Sequence, residues 1–108
     1  MCHMATEAKL SHTATMILQA VSVGYIYGFT VMEATGLPSG TVYPALRRLE
    51  RDDLIASRLE KQFVADLEQR PPRKYYKLSA NGKATLESAR KRYPLLSKLV
   101  PASELEQA

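Results

Sequence analysis

Residues 36–55, GLPSGTVYPALRRLERDDLI, constrain the fold more than any other stretch of this chain. On a helical wheel Val42, Leu46 and Leu49 fall together at the i, i+4, i+7 spacing of a buried stripe. At about 100° per residue, Gly40, Pro44, Arg47 and Arg51 fall on the opposite face, flanked by Thr41, Tyr43 and Arg48. One face is apolar and the other cationic, with small or hydroxyl-bearing residues at the leading end. A helix lying in a DNA major groove needs those properties: arginine forks for guanine edges and phosphates, and no bulk at the first turn. An ordinary amphipathic helix with a solvated charged face satisfies the same pattern. The lead-in separates the two readings. Gly36 suits a left-handed helix end and Pro38 discourages continuation. Ser39, Gly40 or Thr41 is the expected N-cap. A cap at Gly40 or Thr41 would put Pro44 in the first turn, where its missing N–H costs nothing. A helix, a short Gly/Pro break and a second helix with a basic outer face make a helix-turn-helix.

Upstream, Ser11 is a plausible N-cap for a helix over about 12–22. Its main stripe is Ala14, Ile17, Leu18 and Val21, and Met16 and Ala20 add a second apolar face. A helix apolar on two sides is sandwiched, and a partner subunit is one candidate for the second layer. Gly24 ends it. A further helix over about 27–35 should turn Phe29, Val31 and Met32 inward, with Tyr27 either a core or capping aromatic or a phosphate contact.

Downstream, residues 54–60 and 73–78 alternate in polarity and predict two strands of a β-hairpin wing. Phe63 and Val64 suggest that the first strand runs past residue 60, leaving about 65–72 as the tip. Arg70, Arg73 and Lys74 are the wing residues placed to reach the minor groove or phosphates, although solvated loop charge explains Arg70 equally well. Ser79 is the expected cap of a last helix, in which Gly82 marks a close approach. Leu86, Ala89, Tyr93, Leu96 and Val100 then repeat at 3, 4, 3, 4, which predicts either a subunit seam or a face packed on the chain itself. Pro94 predicts a kink or restart near Tyr93.

GTVYPALRRLERDDLI followed by PPRKYYKLSANGKATL resembles the PadR family of prokaryotic transcriptional regulators, and YGFTVM over 27–32 resembles the family's Y-G-Y-E-I segment. The likeness spans about residues 13–93. It implies a mainly α fold with a small β-hairpin (α+β), a winged helix-turn-helix with a C-terminal dimerisation helix. Residues 1–78 would be the DNA-binding domain and 79–108 the dimerisation helix of the same compact unit, as in a short-tailed member. The resemblance implies a repressor that binds double-stranded DNA as a homodimer. The DNA-binding residues would be Ser39, Gly40, Thr41, Tyr43, Pro44, Arg47, Arg48, Arg51, Arg70, Arg73 and Lys74. The dimer interface would be Ile17, Leu86, Ala89, Tyr93, Leu96 and Val100. It also implies a possible small aromatic or drug-like effector, for which Met16, Tyr93 and Leu96 would line a cavity between subunits. Asp53 departs from the family pattern, which has Gly there, and its charge opposes the C-terminal dipole of the preceding helix.

Composition sets the outer limits. At 108 residues, 45% hydrophobic and 24% charged, the chain fits one globular domain. Its net charge of +4 is concentrated: residues 39–98 alone carry 14 Lys and Arg against 7 Asp and Glu. A localised cationic face implies a polyanionic partner, and without a Trp- and Phe-rich anchor helix nucleic acid is preferred over membrane. No apolar run approaches 18 residues, no basic-then-apolar leader opens the chain, and one cysteine excludes an internal disulfide, so the expectation is a cytoplasmic protein. Residues 1–10 lack periodicity and are expected to be loose. No enzyme constellation, cofactor motif or metal set is present: Cys2, His3 and His12 do not match zinc spacings, and Ser39 and Thr41 have no histidine base. A winged-helix module that docks on an acidic protein, or a mobile-element antirepressor or excision-type factor, would share these features.

Overall fold

Ser11 opens the first helix, its hydroxyl oxygen accepting the Ala14 N–H at 3.0 Å. This computed structural model describes residues 10–100, so Cys2, His3 and most of the segment expected to be loose lie outside the described residues. Helix α1 spans His12–Ser22 and stops where Gly24 turns left-handed (φ 113°). Ile17, Leu18, Ala20 and Val21 are all buried, so α1 is the central element of the core. Its two buried polar residues are satisfied: the Thr15 hydroxyl donates to the Ser11 carbonyl at 2.9 Å, and the Gln19 side-chain oxygen accepts from Arg90 at 3.1 and 3.2 Å. Of the second apolar face of α1, Ala20 is buried within this chain and Met16 is half-buried.

Helix α2 (Gly28–Thr35) begins after Tyr27, whose carbonyl accepts the Thr30 hydroxyl at 2.8 Å. Val31 is buried, but Phe29, expected inside, is 56% exposed. Gly36 closes α2 in the left-handed conformation (φ 74°), donating to Met32. Helix α3 (Ser39–Arg51) follows after two residues, with Val42, Ala45, Leu46 and Leu49 buried. Full burial of a Val or Leu side chain is worth about 1.5–3 kcal/mol, so this stripe fixes the rotation of α3. Its N-cap is Pro38, earlier than expected: the Pro38 carbonyl accepts the N–H groups of Thr41 and Val42. Pro44 therefore sits inside the helix, beyond the first turn. Its ring leaves the Gly40 carbonyl without an i+4 donor, a loss made tolerable by the exposure of Gly40 to water.

Strand β1 (Ile55–Leu59) pairs antiparallel with β2 (Lys74–Leu78), with Ile55 opposite Leu78, Ser57 opposite Tyr76 and Leu59 opposite Lys74. Between them the expected strand extension is replaced by a short helix, α4 (Gln62–Leu67). The apolar residues Phe63 and Leu67 are spaced i, i+4 and are 69% and 68% exposed, while Gln62 donates to Asp66 at 2.8 Å over the same spacing. Local i, i+4 pairing wins here because, among the described residues, no further strand pairs with this segment.

Helix α5 (Ala80–Arg92) is capped by Ser79, whose hydroxyl oxygen accepts the Gly82 N–H at 2.9 Å. Gly82 is a close approach in fact: a Cβ there would overlap the Leu54 carbonyl oxygen and stand 2.9 Å from its carbon. Pro94 ends α5 at Tyr93, and a short α6 (Leu96–Leu99) restarts beyond it. The seam expectation requires correction. Leu86, Ala89, Leu96 and Val100 are buried in the chain's own core with Ile17, and Tyr93 is half-buried against it, its hydroxyl donating to the Leu10 carbonyl at 3.4 Å. The kink at Pro94 lets α6 fold back under α1 and closes the seam internally. Leu96, enclosed in the core, is likewise unavailable to line an effector cavity between subunits.

Candidate nucleic-acid interface

The buried stripe of α3 dictates what its other side presents. Ser39, Gly40, Tyr43, Arg47, Arg48 and Arg51 are exposed, and Thr41 and Pro44 are half-exposed. No acidic side chain lies within ion-pair distance of Arg47 or Arg48 among the described residues, and Arg51 has only a solvent-exposed 3.4 Å contact with Asp52. Arg48 and Arg51 also stand in the last turn, where cations complement the helix dipole. Gly40 has nothing within 4 Å of an added Cβ, so the leading turn is open.

Tyr43 links α3 to α2. A Cβ on buried Gly28 would lie 2.6 Å from the Tyr43 hydroxyl oxygen, so glycine lets the hydroxyl end of the ring approach that backbone. The same tyrosine borders a cleft of about 360 Å³ between α2, α3 and the base of the wing, lined also by Tyr27, Phe29, Arg73, Lys74 and Tyr76. Arg73 lies over the Tyr27 ring at 4.4 Å, and Tyr27 meets Tyr75 edge-on at 5.6 Å. Burial pushes the Tyr76 hydroxyl above the usual phenol range, keeping it a neutral donor. The mouth of this cleft offers guanidinium and ammonium groups on an aromatic floor, the chemistry that holds a phosphodiester and its sugar.

Two of the wing cations are already engaged. Lys74 is 3.4 Å from Glu50, whose carboxylate also accepts the Ser57 hydroxyl at 2.6 Å; the Ser57 hydrogen bond, with Lys74 helping, holds Glu50 below the usual carboxylate range. Lys74 remains half-exposed; Arg70 does not. Its guanidinium is bidentate to Glu60, at 2.5 and 2.9 Å, and adds a 3.2 Å contact to Glu68, leaving the side chain 20% exposed. The expectation that Arg70 contacts DNA is corrected on this ground: it is spent inside the wing. Sequence reasoning passes over Glu60, Gly28 and Tyr75. A single acid before a turn carries no periodic or motif signal, and Gly28 acquires its role only when Tyr43 arrives from another helix.

The corner after α3 shows how Asp53 is accommodated. Asp53 is left-handed (φ 63°), with the Leu54 N–H donating to the Leu49 carbonyl at 2.9 Å and the Asp53 N–H to that of Glu50 at 3.1 Å, the two bonds of a Schellman ending. Its carboxylate accepts the Asn81 side-chain amide at 3.0 Å, and its carbonyl accepts the Ser79 hydroxyl at 2.6 Å. The acid unfavourable at the end of α3 therefore stands beside the N-terminus of α5, where negative charge is favourable.

Known proteins share this arrangement. The model of the transcriptional regulator PadR-like family matches residues 17–88. A PadR-like transcription factor from Bacteroides fragilis is similar over 89% of each chain, at 25% identity and a TM-score of 0.66. A PadR family transcription regulator from Clostridium difficile R20291 is 26% identical over 82% of this chain and 94% of its own, with a TM-score of 0.67. Bordetella bronchiseptica BpsR, whose DNA binding is regulated by 6-hydroxynicotinic acid, shares the fold alone, at 18% identity and a TM-score of 0.65 over 97% of this chain and 81% of its own. No curated protein matches the chain. The family match covers two thirds of the sequence, including α3 and both strands of the wing: this chain belongs to the PadR-like family of transcriptional regulators.

Proposed function

We propose that this protein is a sequence-specific repressor that binds a palindromic operator as a homodimer, with α3 in the major groove and the wing alongside. The outer face of α3 carries the reading: three exposed arginines and an open glycine at the leading turn, on a helix whose rotation is fixed by its buried side. Arg47, one turn beyond Tyr43, reads a base edge. Ser39, Thr41 and Pro44 fit the leading turn to the groove. Arg48, Arg51, Arg73 and Lys74 hold phosphates. Tyr43 stands between the two groups, with its hydroxyl for a phosphate or its ring for a thymine methyl.

Dimerisation requires a surface other than the buried seam. Among the exposed apolar residues described, Leu95 and Leu99, 61% and 48% exposed beside and on α6, stand away from α3 and the wing, and half-buried Met16 on α1 is the third candidate for it. An effector on the pattern of BpsR would be a planar organic acid, and release of operator DNA on its addition is the corresponding assay. A module that docks on an acidic protein would have the same charge but no need for an unobstructed Gly40.

The test uses operator DNA recovered by genome-wide capture, against a scrambled duplex, each titrated with Arg47→Ala and Arg51→Ala. Arg47→Ala should cost roughly 1–3 kcal/mol on the operator and relax preference at one base pair per half-site. Arg51→Ala should weaken both duplexes alike and lower the salt slope by about one. Equal loss on both duplexes for Arg47→Ala would remove its role as base reader.

A further inference from the structure

The wing closes on a single carboxylate. The Glu60 N–H donates to the Arg73 carbonyl at 2.7 Å, and the Arg73 N–H returns to Glu60 Oε1 at 3.1 Å, so the mouth of the hairpin is tied through both residues. Glu60 also accepts the Arg70 guanidinium through both oxygens and the Tyr75 hydroxyl through Oε2 at 3.1 Å. These donors come from three places: the loop after α4, the base of the wing and the start of β2. The Glu60 side chain is 7% exposed, and the Arg70 hydrogen bonds, joined by those from Arg73 and Tyr75, bring its carboxyl down to about 2. It is a charged acceptor throughout the ordinary pH range.

The consequences run toward the interface. Tyr75 meets Tyr27 edge-on at 5.6 Å and pairs with it as an isolated β-bridge, and the Tyr76 N–H donates to the Ile26 carbonyl at 2.8 Å. Arg73 lies over the Tyr27 ring, at 4.4 Å from its centre. One carboxylate thus fixes the Tyr75 ring, the backbone of Arg73 and, through Tyr27, the platform on which the Arg73 guanidinium rests. It also neutralises Arg70, a wing-tip cation turned back from solvent. At the other end of the loop, Gln69 is left-handed (φ 57°) and the Arg70 N–H donates to Ala65, which aims Arg70 at Glu60 instead of outward.

We propose that Glu60 is a positioning residue for DNA recognition: it holds Arg73 and the Tyr27 platform at the wing base and withholds Arg70 from the phosphates, so that the wing adds register instead of unspecific charge. The proposal rests on the reading of this face as DNA-binding. A wing that holds its cations in one place favours the one duplex geometry they match, whereas a loose cation binds any phosphate.

The experiment titrates wild type, Glu60→Gln, Glu60→Gln/Arg70→Gln and Tyr75→Phe on operator and scrambled duplex across a salt series, with a thermal melt of each. The amide introduced by Glu60→Gln would offer one oxygen and an N–H₂ where a carboxylate now meets the donors of Arg70, Arg73 and Tyr75, freeing Arg70. The expected result is a roughly tenfold fall in operator preference. On scrambled DNA the salt slope should steepen by about 0.9, the increment for one added phosphate contact. Adding Arg70→Gln should restore the slope but not the preference. Tyr75→Phe, which removes only one hydroxyl and keeps the ring, should lower the preference with no change of slope, and it decides the matter alone if Glu60→Gln does not fold. A merely structural role would reduce the active fraction, lowering affinity on both duplexes by one factor with preference and slope unchanged; that result in Glu60→Gln or Tyr75→Phe overturns the proposal. Wild type without operator preference would instead overturn the DNA reading itself, and the proposal with it.

Discussion

An added Cβ at Gly40 meets open space, and the position is helical, so alanine there should stabilise the folded chain by about 0.5–1 kcal/mol. Nothing among the described residues calls for a glycine at this point, in contrast to Gly28 and Gly82, whose missing side chains make room for Tyr43 and the Leu54 carbonyl. The cost of the glycine is explained if something outside the chain approaches the first turn of α3. Gly40→Ala should therefore raise the melting temperature, while Gly40→Gln should leave the fold intact and reduce operator affinity at least about tenfold, or roughly 1.4 kcal/mol. Melting curves beside binding titrations check both. Normal operator binding by Gly40→Gln would mean that the leading turn does not meet DNA. The arginines are legible in the sequence because charge on the outer face of an amphipathic helix needs no tertiary information. Arg70 is not, since its fate depends on an acid ten residues earlier across a loop.

Among the elements, α1, α2, α3, β1, β2 and α5 can be placed from period and capping, with Ser11 and Ser79 capping as their sequence context suggests. The misplacements share one cause. Phe29, Phe63 and Val64 are placed by hydrophobicity alone, which cannot distinguish a core residue from an exposed one when the segment is too short to show a period. The seam of α5 and α6 fails for a related reason. A 3-4 repeat gives the face that is buried but not the surface that buries it, and here that surface belongs to the same chain. Leu96→Glu would consequently put an unpaired charge into the core and unfold the protein instead of separating subunits. The exposed side of α6 makes a cleaner test. If these two residues carry the proposed dimer contact, Leu95→Glu combined with Leu99→Glu should keep the helical spectrum yet sediment at half the wild-type mass, with weaker operator binding because a monomer engages one half-site. An unchanged mass would assign the interface to another surface.

For the whole molecule, one core built on α1 holds α3 and the wing in fixed relation, so the cationic groups act as a unit. Pairing trims the charge that the sequence advertises: Arg70 is consumed by Glu60 and Lys74 shared with Glu50, leaving Arg47, Arg48 and Arg51 exposed on α3, with half-buried Arg73 beside them over the Tyr27 ring. No helix among the described residues is long and apolar enough to cross a membrane. The face is set for a polyanion, and counterion release is the thermodynamic mark of that contact. The most direct measurement is the affinity of the wild-type protein for its recovered operator across a salt series. If the proposed dimer contacts about 6–10 phosphates, affinity should fall by roughly 10³–10⁵ between about 50 and 200 mM salt, linearly on logarithmic axes. A flat response, or no retention of any duplex at low salt, would contradict the account and leave the cationic face of α3 to an acidic protein partner.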